Sequence, residues 1–480
     1  MASDFDSSLV GKVALKEDIK TYAVSAATGA KVENLFDFAD VNKYFDKSEN
    51  SVTYLSRTDW EGTMPKGNAV LKMTDKLKND LLSQDDPKII EKDKTAYPTY
   101  NKKSGLKLID LMKDENGDPR AYDDPLWDAL LDQLSWKETV ELLNAGLQST
   151  RSLISIMKPR TLDHNGPLGL TQAYNSNELG RAARVDDPDK TLTPPYYPSI
   201  GVLAATFDTS LASEFGDMLG EDAIWAGYGG FYGIGLNTHR SPFGGRAYEY
   251  FSEDPFLAGS MAACEVKALQ SHGCNAYVKH FAMNDQEAQR AGISIWATEQ
   301  TIREIYLKPF AKAVTEGGAM NAMSAFNRIG ARHCAADSAL LTDYLRGELG
   351  MKGLVVSDMY GIAYKQPQMP IFLMAGCDLP DGEIDKTNPY KQFRSDHGEV
   401  AVQMREAAKR ILYATVQSNA MNGMSPYTQI VKIVPGWQIA VIVLDCLFGA
   451  MFAASIVGVV LTVAAKKRTA RNSNNKGEKE

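Results

Sequence analysis

An apolar, strand-like run, GLVVSDMYG at residues 353–361, carries a carboxylate near its end, and an aspartate placed there can serve as a nucleophile, a metal ligand or a helix cap. Other apolar runs also end on polar groups: Lys279 and His280 follow AYV, Asn327 follows AMSAF, and Ser357 and Asp358 follow LVV. Singly, each reads as a cap or loop residue, because Ser, Asp and Asn favour those positions. Together they suggest chemistry, since the acids and bases of a β/α barrel gather where its strands end. The stretch GLNTHRSPFGGRAYEYFSEDP, residues 235–255, is denser in Gly, Arg, acids and aromatics than a connection requires. Sugars suit such a loop: hydroxyls take paired hydrogen bonds from Arg and carboxylate, and aromatic faces cover the ring. Gly244 and Gly245 would let the backbone turn Arg246 inward. A metal reading gathers Asp358, His280 and Asp285, but no H-x-x-x-H or H-x-x-E-H spacing accompanies them, so no metal or other cofactor is expected.

The elements that must hold these residues lie between about 106 and 420. Apolar runs such as GVLAATF, NAYVKHF, GAMNAMSAF and GLVVSD alternate there with amphipathic stretches, which is the rhythm of an α/β fold. In TEQTIREIYLKPFAKAV the apolar residues Ile302, Ile305, Tyr306, Phe310 and Val314 form one stripe, and Thr301 and Glu304 have capping-box spacing, which predicts a helix packed outside a sheet. Residues 1–105 show no sustained period and read as a linker or the remnant of a preceding domain.

A net charge of −8 gives no general attraction to nucleic acid, and 44% hydrophobic with 23% charged residues is ordinary globular composition. The five widely spaced cysteines never form C-x-x-C and are expected to be buried small residues. Residues 439–465 read IAVIVLDCLFGAMFAASIVGVVLTVAA with Asp445 as their one charge, which predicts a single transmembrane helix after a juxtamembrane linker at 421–438. Lys466, Lys467, Arg468 and Arg471 then open a basic tail, 466–480, expected in the cytoplasm with the barrel on the other side of the cell membrane. The N-terminus carries no secretory signal, so export of the barrel needs sequence upstream of Met1, or else the main domain stays in the cytoplasm.

GLNTHRSPFGGRAYEYFSEDP, VKHFAMNDQE, REIYLKPF, MSAFNRIG and LRGELGMKGLVVSD, in that order, resemble the motifs of glycoside hydrolase family 3, the β-glucosidase family. Weaker similarity at HNGPLGL, LAATFD and AGCDL extends the likeness from about 160 to 380. The resemblance implies a (β/α)8-type barrel of residues 106–420 and retaining hydrolysis of terminal β-D-glucosyl or related residues. It places the nucleophile at Asp358 and the grip on the sugar hydroxyls at Arg246, Lys279 and His280. A retaining mechanism needs a second carboxyl about 5 to 5.5 Å from the first, acting as acid and then base. In the family that acid usually comes from an α/β sandwich domain, and no stretch of this chain matches one. The segment VENLFDFADVNKYFDKSENSVTYLSRTDWEGTMP resembles the joint of permuted members, in which the sandwich precedes the barrel. The acid/base is therefore expected upstream of Met1 or on a partner chain.

Three substrate-contacting positions depart from the family pattern. Asn165 in HNGPLGL stands where an aspartate usually grips the outer hydroxyls, with Asp163 two residues earlier; Asn keeps the hydrogen bonds and loses the charge. Phe326 stands in place of a tyrosine, and Met359 in place of a tryptophan. The two functional expectations are a membrane-anchored, exo-acting hydrolase of β-linked glycosides or oligosaccharides, and a catalytically silent barrel serving as a glycan-binding or scaffolding module.

Overall fold

The computed structural model describes residues 24–46, 50–54, 71–83, 97–144, 146–170, 196–363, 366–384, 388–431 and 434–477. The chain divides into two compact units, residues 1–429 and 430–480.

A seven-stranded sheet organises the first unit. Its strands are β1 (Ser149–Thr150), β2 (Thr161–Asn165), β3 (Gly230–Gly235), β4 (Asn275–Phe281), β6 (Asn321–Ser324), β9 (Val355–Met359) and β10 (Leu379–Asp381), neighbours in that order. β1 runs antiparallel to β2, and every other pairing is parallel. The short strands β5 (Ser294–Ile295), β7 (Arg328–Ile329) and β8 (Arg332–His333) form a separate small sheet. Residues 146–148 link the two ends of the large sheet: the Gly146 amide donates to the Gly382 carbonyl (3.0 Å) beside β10, and the Gln148 carbonyl accepts from Asp163 in β2 (2.9 Å). The described residues thus supply six parallel strands of a TIM-like α/β fold. β3 and β4 are buried along their whole length, as parallel strands covered on both faces must be.

Between strands the chain forms helices whose ends are written in the sequence. α1 (Trp136–Asn144) precedes β1. α2 (Thr209–Ala226) starts at Asp208, whose side chain accepts from the Ser210 amide, and stops at Gly227, whose φ of 76° suits glycine. α3 (Pro255–Ser271) is capped by Asp254 and opens on proline, where the missing N–H costs nothing. α4 (Lys308–Thr315), α5 (Ala339–Glu348, with π-type bonding), α6 (Met369–Ala375) and α7 (Gly398–Val416) complete the layer.

The stretch before α4 departs from the expected helix. Its cap is Thr298, which accepts from the Thr301 amide, and not Thr301. Residues Ile302–Tyr306 form a π turn closed by Leu307 N–H to Ile302 C=O at 2.8 Å. Pro309 has no N–H to give the Ile305 carbonyl, so a regular ladder cannot run through this point. Ile302, Tyr306, Phe310 and Val314 are buried as predicted, whereas Ile305 is 40% exposed. Phe310 meets Phe281 of β4 edge to face, which places α4 outside the sheet.

Residues 24–46, within the segment read as a linker, are docked on this helical layer. Glu299 accepts from the Leu35 and Phe36 amides, Arg303 donates to the Glu33 carbonyl and pairs with Glu348, and the Phe36 ring is fully buried against Tyr344. Isolated polar and aromatic anchors hold the segment, which a search for periodicity passes over. Residues 47–49 and 55–65 of the joint-like segment lie outside the described residues.

α2 and α3 touch at Gly216, where a Cβ would lie 2.4 Å from the Glu265 carbonyl. The Glu265 side chain is buried with neither carboxyl oxygen hydrogen-bonded among the described residues, and burial pushes its pKa up to about 8. Because the folded value exceeds the unfolded one, the neutral acid is tolerated at pH 4, and stability falls as pH rises towards 8, by on the order of 5 kcal/mol. Glu265→Met is expected to be more stable than the parent by a margin that widens between pH 5 and 8. Urea midpoints at both pH values check this, and a pH-independent margin would contradict it.

Among the described residues the second unit contains one helix, α8 (Gly436–Gly477), and its stretch Gly436–Asn472 is long and apolar enough to cross a membrane. It begins three residues before the predicted span and continues through the basic residues of the tail to Gly477; residues 478–480 lie outside the described residues. Of the cysteines, Cys274, Cys334 and Cys377 are buried and Cys264 is half-buried, but Cys446 on α8 is exposed. The expectation of buried cysteines therefore fails for Cys446.

Candidate active site

The C-terminal ends of the parallel strands surround a cavity of about 350 Å³. Asn165 comes from β2, Lys279 and His280 from β4, Asp358 and Met359 from β9, and Asp381 from β10; Arg246, Glu287 and Arg290 enter from loops. This is the face on which such folds place chemistry.

Asp358 is 9% exposed. Burial raises its pKa above the ordinary carboxylate value, while the Met359 amide, donating to Oδ1 at 2.8 Å, and the charges of Arg290, Arg246 and Lys279 act the other way. Lys279 lies along a fully buried strand and reaches Asn165 Oδ1 at 2.7 Å, with Glu249 3.9 Å away. Burial lowers its pKa to about 8, although Glu249 favours the charged form.

His280 is neutral. Burial, followed by the charges of Arg246, Lys279 and Arg290, holds its pKa well below the usual value. Arg246 Nη1 can only donate, so His280 Nε2, 3.0 Å away, accepts, and Nδ1 carries the proton towards the Tyr250 hydroxyl at 3.1 Å. The approach of His280 Nε2 to Asp358 Oδ2 at 3.8 Å is consequently not an ion pair. Asn237 fixes the same backbone from both sides, accepting from His280 N–H and donating to His280 C=O.

Arg246 is held as a fork. Nε and Nη2 donate to the two carboxylate oxygens of Glu249, the geometry that suits guanidinium to carboxylate. Burial alone would raise the Glu249 pKa, but Arg246 and Lys279 outweigh it and hold the acid ionised. Of the two glycines before Arg246, Gly245 makes the turn: its φ is +91°, and a Cβ there would lie 2.9 Å from the Glu287 side chain.

Asn165, Arg246, Lys279, His280, Asp358 and Met359 all line the cavity. Phe326 is buried and does not line it; Arg290 stacks over the Phe326 ring at 4.8 Å, so that wall of the cavity is guanidinium. Asp163 sits deeper, accepting from the Tyr277 hydroxyl at 3.1 Å, with burial raising its pKa to about 6. Asn327 donates to the Ala282 carbonyl, a structural role. The metal reading fails on placement: Asp285 pairs with Arg240 at 2.8 Å and lines a separate small cavity. Among the described residues no group of three or more His, Cys, Asp and Glu is arranged to hold a metal.

The sequence reading missed Gln148, Tyr248, Glu249, Glu287, Arg290 and Asp381. Tyr248 and Glu249 lie in the quoted loop, and Glu287 in the motif VKHFAMNDQE, but spacing does not say which of these face inward. Asp381 ends a three-residue strand, LPD, too short to announce itself as one.

Residues 148–412 match the model of the glycosyl hydrolase family 3 N terminal domain. The chain is 43% identical over 165 residues to beta-glucosidase B of Emericella nidulans, covering 34% of this chain and 20% of that protein. It is 31% identical over 307 residues to beta-glucosidase A of Butyrivibrio fibrisolvens, covering 61% of this chain and 34% of the relative. Among solved structures, beta-glucosidase 3B of Thermotoga neapolitana with alpha-D-glucose superposes at TM-score 0.50 and 29% identity over 61% of this chain and 43% of its own. The beta-glucosidase of Kluyveromyces marxianus with glucose superposes at 0.52 and 27% over 61% and 34%. The chain thus spans about a fifth to a third of the length of these two curated relatives. With the family model matching more than half of its residues, the chain belongs to glycosyl hydrolase family 3.

Proposed function

We propose that this chain carries the glycone site and nucleophile of a retaining β-glucoside hydrolase. The observation that carries the proposal is Asp358, a buried carboxylate at a strand end, facing a cavity lined by Arg246, Lys279, Arg290 and a neutral His280. In this reading the sheet is a (β/α)8-type barrel, and Arg246, Lys279, His280 and Asn165 bind sugar hydroxyls. One Asp358 oxygen attacks the anomeric carbon as the glycosidic C–O bond breaks, and the leaving oxygen takes a proton from an acid. Water, deprotonated by the same group, then cleaves the glycosyl ester and restores Asp358. Met359 lines the glycone site, and Phe326 acts through Arg290.

Of the other carboxyls lining the cavity, Glu287 is engaged by Arg290 and Asn284, and Asp381 lies beside Asp358. As the family resemblance implies, the acid/base is assigned to a sandwich domain or a partner chain closing over the cavity. α8 is read as a single-pass anchor in the cell membrane, its basic end cytoplasmic and the barrel extracytoplasmic; its length, composition and the cluster Lys466, Lys467, Arg468 and Arg471 support this.

The reading is tested with 2,4-dinitrophenyl β-D-glucoside, whose leaving group departs without a proton. Proton NMR of the products is expected to show β-glucose first, as retention requires; α-glucose first would overturn a nucleophilic Asp358.

A further inference from the structure

We propose that Asp381 is a specificity-determining residue of the glycone site, giving the β10 side of the cavity a carboxyl that hydrogen-bonds one hydroxyl of the bound sugar. The inference rests on the functional reading above and adds a contact to it.

Position is the first argument. Asp381 ends β10, in register with Met359 of β9, and lines the same cavity as Asp358. Its backbone is fully used, its N–H donating to the Ser357 hydroxyl and its C=O accepting from Tyr360, so the strand end that aims the side chain is fixed.

Incomplete satisfaction is the second. Asp381 is 6% exposed, and its Oδ1 has no hydrogen-bond partner among the described residues. A buried polar atom left unpaired costs free energy, and ligand-binding sites are where such a cost is retained. The other cavity groups have partners inside the protein: Lys279 has Asn165, Arg246 has Glu249 and His280, and Glu287 has Arg290.

The charge state is the third. Asp381 faces Asp358, Lys279 and Asp163, and accepts from the Gln148 amide. Two neighbouring carboxyls in a buried site do not readily ionise together. Asp358 has the Met359 amide and three cations on its side, so the charge settles there. Burial, and then the charge of Asp358, push the Asp381 pKa up to about 8. At neutral pH Asp381 therefore both donates and accepts, which matches a sugar hydroxyl. A neutral partner also spares Asp358 a second negative charge beside the anomeric centre.

The test uses methyl β-D-glucopyranoside and its 2-, 3-, 4- and 6-deoxy derivatives, titrated by ligand-observed NMR into the full chain and into Asp381→Ala and Asp381→Asn. The parent is expected to lose about 10-fold in affinity on deletion of one particular hydroxyl. Asp381→Ala is expected to erase that one penalty and keep the other three. Asp381→Asn, which has the same shape and still donates and accepts, is expected to retain it. Alanine also removes the acceptor of the Gln148 amide, so Asp381→Asn, which keeps that acceptor, supplies the comparison should alanine destabilise the fold. An unchanged deoxy profile in Asp381→Ala, a uniform weakening of all five ligands, or loss of the penalty in Asp381→Asn would overturn the inference. If the parent binds none of the five, the functional reading fails at its own step, an outcome distinct from binding with an unchanged profile.

Discussion

Asp358→Asn is expected to lower kcat/KM for 2,4-dinitrophenyl β-D-glucoside by on the order of 10⁴-fold or more, the scale on which loss of a nucleophile disables a site whose parts act together. The amide keeps the shape and the possibility of accepting from Met359 N–H, but it cannot form the glycosyl ester. Because dinitrophenolate leaves without a proton, the assay isolates the step assigned to Asp358 from the step that needs an acid. Binding of methyl β-D-glucopyranoside should survive, since Arg246, Lys279 and Asn165 remain in place. Activity within about 10-fold of the parent would remove Asp358 from the role.

Arg246→Lys, which keeps the charge, is expected to lose about 10²-fold to 10³-fold in kcat/KM, the cost of breaking a buried, forked ion pair. Guanidinium reaches three atoms at once: both Glu249 oxygens and His280 Nε2. A lysine ammonium cannot span them. Glu249 would keep a charge in a buried place without its second bond, and His280 would lose the donor that fixes its tautomer. Arg240→Lys is the control, because Arg240 is more than half exposed and pairs with Asp285 in a separate cavity. Its effect should stay within about 3-fold. Equal effects of the two substitutions would show that the fork contributes nothing specific.

Four of the groups that meet in the cavity could be read from the sequence for a physical reason. Lys279, His280 and Asp358 end apolar runs, and in a parallel sheet that is where side chains reach the active face; Gly245 turns Arg246 towards them. Asp381 was not legible because β10 is three residues long and carries a proline. Phe326 shows the limit of motif matching: the position corresponds, yet an arginine from a different loop covers the ring. Across the π turn and α4 the apolar stripe was right for four of five residues, and Pro309, visible in the sequence, explains the π turn that leaves Ile305 outside. Residues 24–46 fall in a segment that reads as a linker or the remnant of a preceding domain, because periodicity is blind to anchoring by single aromatic side chains such as Phe36.

Incubation with 2,4-dinitrophenyl 2-deoxy-2-fluoro-β-D-glucoside, followed by peptide mass spectrometry, tests the central claim most directly. The fluorine slows both steps and the activated leaving group restores the first, so the glycosyl-enzyme accumulates without help from an acid. The account predicts one fluoroglucosyl mass added on Asp358 of the GLVVSDMYG peptide, and none in Asp358→Asn. A label on any other residue, or none under conditions where the sugar binds, would contradict it.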